Sequence, residues 1–182
     1  MIRSFFFKIL YKLIEGASNK DKSALFHVLR NGHTKNTQDY LRCKYNLHKK
    51  FRFNGDDILM YGEGQIICGA NTYIGNYSTM QAYQNCKVKI GKNCSISHNV
   101  RIYTMSNISD QDFNVEGEKI KKKADVIIED GVWIGANVLI NPGSIIGQNS
   151  VIGANSVVSG IIEPNSVYGG VPAKLIKKKT RI

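Results

Sequence analysis

Few side chains in this chain of 182 residues can move a proton near neutral pH. Four are histidines. His27, His33 and His48 lie early, and His98 stands apart from them in Ile96-Ser-His-Asn-Val-Arg. Imidazole titrates near neutrality and is the usual general base, so His98 is the first candidate for acid–base work. One histidine there cannot supply the cluster that a catalytic zinc needs, and no metal is expected. Cys43, Cys68, Cys86 and Cys94 show neither C-x-x-C spacing nor a zinc pattern and are expected to be buried, reduced thiols. No residue has the surroundings of an activated, acyl-carrying nucleophile.

The elements that must position His98 are legible as a repeat. From Ile128 the chain reads in sixes, with Ile128, Ile134, Ile140, Ile146, Ile152 and Val158 at position one. Position five is Val132, Val138, Ser144, Ser150, Ser156 and Ile162, all small or β-branched. Ile90, Ile96 and Ile102 open earlier hexads in the same register. A strict six-residue aliphatic period suits neither an α-helix nor an alternating sheet. It suits short strands that meet at corners, where glycine or asparagine takes unusual backbone angles cheaply. Three hexads would close one triangular coil, and coils would stack at the strand spacing of about 4.8 Å.

Ahead of the repeat, residues 1–57 read as a helical and irregular preface. Residues 1–16 fit an amphipathic helix that stops at Gly16, and a second short helix would run from about Ser23 to Arg30 and end at Asn31-Gly32. This preface could cap the first coil, or residues 1–16 could lay an apolar face on a membrane surface. No run of eighteen apolar residues spans a bilayer. Lys8 and Lys12 interrupt the apolar start and no cleavage site follows, so a cytoplasmic location is expected, with the inner face of the cell membrane as the alternative. A formal charge of +11 asks for a polyanionic partner or surface. Nucleic acid is not expected, because no nucleic-acid module or basic–aromatic interleaving is present.

The pieces Val132-Trp-Ile-Gly-Ala-Asn-Val, Ile140-Asn-Pro-Gly, Ile152-Gly-Ala-Asn-Ser-Val-Val and Gly169-Gly-Val-Pro-Ala-Lys-Leu-Ile resemble the hexapeptide-repeat acyltransferases, in their galactoside and capsule or O-antigen O-acetyltransferase branch. The resemblance covers about residues 58–178. It implies a left-handed parallel β-helix over 58–182, a homotrimer, and direct transfer from acetyl-CoA to a sugar hydroxyl of a glycan. Left-handedness runs against the usual crossover rule. Residues 108–127 break the register and are expected to protrude, beside a neighbouring subunit in similar enzymes, where such a loop shapes the acceptor pocket.

Site residues follow from the same resemblance. The base in galactoside-type relatives is a histidine at the position of Asn107, and an amide cannot act as a base. His98 would take that role, or would instead bond a neighbouring coil or bind the acceptor; Asp110 or Asp112 would orient the imidazole or replace it, and Asn107 would bind the acceptor or the thioester oxygen. In hexad register His98, Ala136 and Ala154 should stack along one corner. Gly135, Ala136 and Ala154 match positions whose main chain lines the CoA groove, and Trp133 matches a tryptophan flanking the active site. Ser159 stands where relatives often have threonine, and Gly160 replaces a common lysine. Lys174 and the basic tail after it could supply the missing charge. Asn76 and Tyr77 are candidates for contact with the acceptor. Two other readings stay open: a xenobiotic (antibiotic) acetyltransferase, and a non-catalytic β-helix that binds sugar nucleotide or CoA.

Overall fold

The computed structural model describes residues 11–180 of the chain. By contacts the chain divides into two units, one up to Tyr40 and one from Leu41 onward. The second unit is a left-handed parallel β-helix with three faces. The first face has six strands, from Asn46–Leu47 to Ile161–Ile162; the second has seven, from Arg52–Asn54 to Lys174–Lys178; the third has five, from Leu59–Tyr61 to Val157–Val158.

The hexad pattern explains this geometry residue by residue. Position one points inward, and Ile134, Ile140, Ile146, Ile152 and Val158 are fully buried. Position five also points inward, and there serine is as buried as valine. Those hydroxyls avoid the cost of an unpaired polar group by donating to main-chain carbonyls, Ser144 to Asn141 at 2.7 Å and Ser150 to Glu163 at 2.7 Å. Between the two, position four turns the corner in the left-handed region, with φ of 60° at Asn137, 55° at Asn149 and 58° at Asn155. Asparagine tolerates that region better than other residues with a Cβ. It also pairs with its neighbours: the Asn99 side-chain amide donates to Asn137 (2.9 Å), and that of Asn137 to Asn155 (3.0 Å).

Several expectations change. The β-helix begins at Asn46, not at residue 58, because Asn46 pairs with Ile67 and Arg52 with Tyr73. Leu41, Tyr45 and Phe51 close its N-terminal end as part of the core. The helix expected over 23–30 instead runs from Asn19 to Lys44, straight through Asn31-Gly32. Ser18 caps it, its Oγ accepting the Asp21 N–H at 3.2 Å. A mid-helix glycine costs only about 1 kcal/mol, less than ending and recapping a helix. Residues 11–16 are helical; the rest of the amphipathic segment 1–16 lies outside the described residues.

The protruding loop is a β-hairpin whose arms, Met105–Asn107 and Lys121–Lys123, pair antiparallel. Its limits differ from 108–127, since Val126–Ile128 already belongs to the first face. The last corner is short, so Ile162, expected at position five, pairs with Ile146 as a position-one residue. The basic C-terminal segment forms the strand Lys174–Lys178, antiparallel to Ser166–Gly169, and Lys178 pairs with Glu163.

Candidate functional site

One corner, where the second face turns into the third, collects most of the candidate residues. Main-chain hydrogen bonds order them. Tyr77 N–H donates to Asp56 (3.1 Å), Asn99 to Asn76 (2.8 Å), Asn137 to His98 (3.1 Å) and Asn155 to Ala136 (2.9 Å). Asn76, His98, Ala136 and Ala154 therefore stack one above another, coil by coil, as the register of the hexads requires. Gly153 N–H donates to Tyr168 (2.8 Å), which sets Gly169 beside that column, and Lys174 lies opposite Gly169. From N- to C-terminal end the corner reads Tyr77, His98, Ala136, Ala154, Lys174.

In the position-three column the middle of that corner carries only the methyl groups of Ala136 and Ala154, beside the Asn137–Asn155 side-chain ladder. Coils approach closely there because Gly135 lacks a side chain: a Cβ on it would stand 2.6 Å from the Ala154 nitrogen. Trp133 precedes Gly135 on the second face, 56% exposed, between Ser95 and Val151.

The N-terminal end of the corner is built differently. His98 is exposed, and its Nδ1 accepts the backbone N–H of Asn76 at 3.0 Å. Gly75 makes room for the ring, since a Cβ there would meet Nδ1 at 2.7 Å. Sequence reasoning missed Gly75; its signal was a glycine in hexad position two of the coil preceding His98. The Asn76 side chain turns away to accept the Asp56 N–H (2.9 Å), so it serves the corner itself. Tyr77 sits at φ 60°, where Asn99, Asn137 and Asn155 occupy the same place in later coils, and its ring is 57% exposed. An aromatic residue in the left-handed region costs on the order of 1–2 kcal/mol, a strain commonly kept where a side chain has work to do.

The remaining candidates lie elsewhere. Asn107 is on the hairpin arm, in register with Lys121. Asp110 is on the exposed tip and has no hydrogen-bond partner among the described residues, whereas Asp112 accepts from Asn114 N–H (2.8 Å). Ser159 accepts from the Asn141 side chain (2.8 Å) where the third face turns into the first. The hairpin leaves from that same corner, as the bond from Ala124 N–H to the Thr104 carbonyl (2.9 Å) shows. Within one chain the third face separates the His98 corner from the corner that holds Ser159 and the root of the hairpin, by about 15 Å along a strand at 3.3 Å per residue.

Among the described residues no group of three or more His, Cys, Asp and Glu could hold a metal ion, and no helix is long and apolar enough to cross a membrane. Cys68, Cys86 and Cys94 are buried and free, while Cys43 is exposed.

Comparison with known proteins matches this architecture. The family model for the bacterial transferase hexapeptide (six repeats) matches residues 125–160. A protein of Lysinibacillus sphaericus named as a probable macrolide acetyltransferase is 40% identical over 51% of this chain and 61% of its own length. The chain thus spans less than two thirds of that relative. The crystal structure of a maltose O-acetyltransferase from Clostridium difficile 630 is 30% identical, with a TM-score of 0.60 over 96% of this chain and 84% of that one. A hexapeptide-repeat acetyltransferase from Vibrio cholerae, solved with acetyl coenzyme A, is 26% identical, with a TM-score of 0.62 over 93% of this chain and 97% of that one. The chain belongs to the hexapeptide-repeat acetyltransferase family.

Proposed function

We propose that the chain is an acetyl-CoA-dependent O-acetyltransferase that acts on a sugar hydroxyl in surface polysaccharide synthesis, working as a homotrimer. The observation that carries this is the composition of one corner. Small residues at Ala136 and Ala154 leave a path for a long, narrow thioester, Lys174 offers a cation to its phosphates at one end, and His98 and Tyr77 wait at the other. The exposed, strained Tyr77 suits stacking against a sugar ring.

Transfer needs a base for the hydroxyl proton, a donor for the developing oxyanion, and both substrates in line. Asp110, a carboxylate without a partner among the described residues, takes the base role, and Asn107 holds the acceptor. Both belong to the hairpin, which leaves from the opposite corner of the third face. On this reading they meet His98 where the hairpin corner of one copy abuts the His98 corner of the next, so the shared site requires an oligomer, and the resemblance to the family makes it a trimer. Ser159 would meet the cofactor from the same neighbouring corner.

The test is thiol release from acetyl-CoA across sugar acceptors, with a mixing experiment beside it. His98→Ala and Asp110→Ala variants, each inactive alone, should regain activity when refolded together. Failure to complement would refute the shared site. The likeness to the macrolide enzyme favours a second reading, an antibiotic acetyltransferase; release with a macrolide but no sugar would establish it. No release with any acceptor would leave a binding protein. Residues 1–16 are the proposed contact with anionic membrane, and equal liposome flotation of a chain lacking them would reject that contact.

A further inference from the structure

We propose that His98 works as a neutral hydrogen-bond donor to the thioester carbonyl oxygen and not as the general base, an inference that rests on acetyl transfer at this corner. Its Nδ1 accepts the Asn76 backbone N–H at 3.0 Å. A ring nitrogen that accepts an N–H bond uses its lone pair and carries no proton, so the ring proton sits on Nε2. A base must offer a lone pair to the incoming proton. Nε2, the nitrogen on the side away from Asn76, offers an N–H instead. Exchanging the roles of the two nitrogens would set the Nδ1–H and Asn76 N–H groups face to face.

Two further features hold this arrangement. Gly75 has no Cβ, and one placed there would stand 2.7 Å from Nδ1, so the ring can lie against the Asn76 peptide only because residue 75 is glycine. Asn76 is itself fixed, its side-chain oxygen accepting from Asp56 N–H at 2.9 Å and its carbonyl from Asn99 N–H at 2.8 Å. The His98 carbonyl accepts from Asn137 N–H at 3.1 Å, which ties it to the coil that carries Ala136. The Nε2–H is thus a fixed donor on the position-three column that continues, one coil further, into Ala136. A fixed donor aimed at developing negative charge is the chemistry of an oxyanion hole.

In the reaction the acceptor hydroxyl oxygen bonds to the thioester carbon, and the carbonyl oxygen gains charge against His98 Nε2–H. The carbonyl then re-forms as the carbon–sulfur bond breaks. The hydroxyl proton passes to the Asp110 carboxylate and from there to the departing CoA thiolate. His98 neither gains nor loses a proton in the cycle.

His98→Ala and His98→Gln separate donor from base. The glutamine oxygen can accept from Asn76 while its amide donates in place of Nε2. Removing the donor should lower kcat roughly 100- to 1,000-fold, and the glutamine variant should stay within about tenfold of the parent chain. Glutamine as inactive as alanine would overturn the inference, because an amide can donate but cannot serve as a base. Two-bond 1H–15N correlation NMR on the parent protein reads the tautomer directly. A proton on Nε2 and a bare Nδ1 is expected; a proton on Nδ1 would overturn the inference whether or not an acceptor is known. Absence of thiol release by the parent chain with every acceptor offered would instead refute the acetyltransferase reading, and the NMR result would still decide the His98 tautomer.

Discussion

Placing one methyl group at Gly75 probes fold and chemistry together. In Gly75→Ala the new Cβ would lie 2.7 Å from His98 Nδ1 and 2.9 Å from the carbonyl carbon and oxygen of Ser97. Ordinary contact needs about 3.5 Å or more between such atoms, so the imidazole must shift by several tenths of an ångström. That stretches the 3.0 Å bond from Asn76 toward about 3.6 Å, where it no longer counts as a hydrogen bond. The lost bond costs about 1 kcal/mol, and the give required of the Ser97 peptide adds a similar amount. Gly75 has no left-handed backbone angle, so alanine also narrows the unfolded ensemble, returning about 0.4–1 kcal/mol. The net loss should be about 1 kcal/mol, or a fall in Tm of about 2–4 °C. Thiol release should fall far more, toward the level of His98→Ala. Thermal melting and thiol release on the same samples check both. Full turnover with a lowered Tm would refute the claim that the placement of the ring matters.

Three further outcomes are expected. Tyr77→Asn puts the residue used in later coils at a strained position, so it should raise stability by about 1 kcal/mol while raising KM for the acceptor and leaving KM for acetyl-CoA unchanged; an unchanged acceptor KM would remove Tyr77 from the site. Among the described residues Gln81 Oε1 is the buried side-chain oxygen with no hydrogen-bond partner, so Gln81→Leu should raise the urea midpoint by the equivalent of about 1 kcal/mol, and a fall would show a hidden partner. Burial, aided by the neighbouring Cys94 thiol, pushes the Cys68 thiol up, and burial likewise raises Cys86 and Cys94. Their folded values lie above the unfolded ones, so their contribution is fully present below the ordinary thiol pKa of about 8.5 and is lost as pH rises beyond it. Urea midpoints should therefore decline above about pH 9, less steeply in Cys68→Ala; an identical slope would contradict the assignment.

What the residues announced in advance was whatever a short period encodes. Ile134 and Ile152 must point inward once every sixth residue is aliphatic, and that alone stacks His98, Ala136 and Ala154 on one corner. The limits of the coil were harder to see. Asn46–Leu47 and Arg52–Asn54 carry no hexad signature, because they pair at the end of the stack, where Phe51 and Tyr45 fill the space that isoleucine fills elsewhere. The long helix runs on through Asn31-Gly32, because nothing there requires a left-handed angle, and Ser18 and Asp21 mark its earlier start. At the site, periodicity placed His98 but could not tell which of its nitrogens is free. That depends on Asn76 and Gly75, 22 residues or so earlier in the chain and one coil below. Nor could it separate the corner holding His98 from the corner holding Asn107, since both lie at the ends of one short strand.

On the proposed reading, acetyl-CoA lies along the corner of Ala136 and Ala154 with its thioester at His98. A crystal structure with a non-hydrolysable acetyl-CoA analogue tests it most directly. The pantetheine arm should run past those two alanines, with phosphates toward Lys174 and the acyl oxygen within hydrogen-bond reach of His98 Nε2. Cofactor density along another corner, or an acyl group at the Lys174 end, would contradict it.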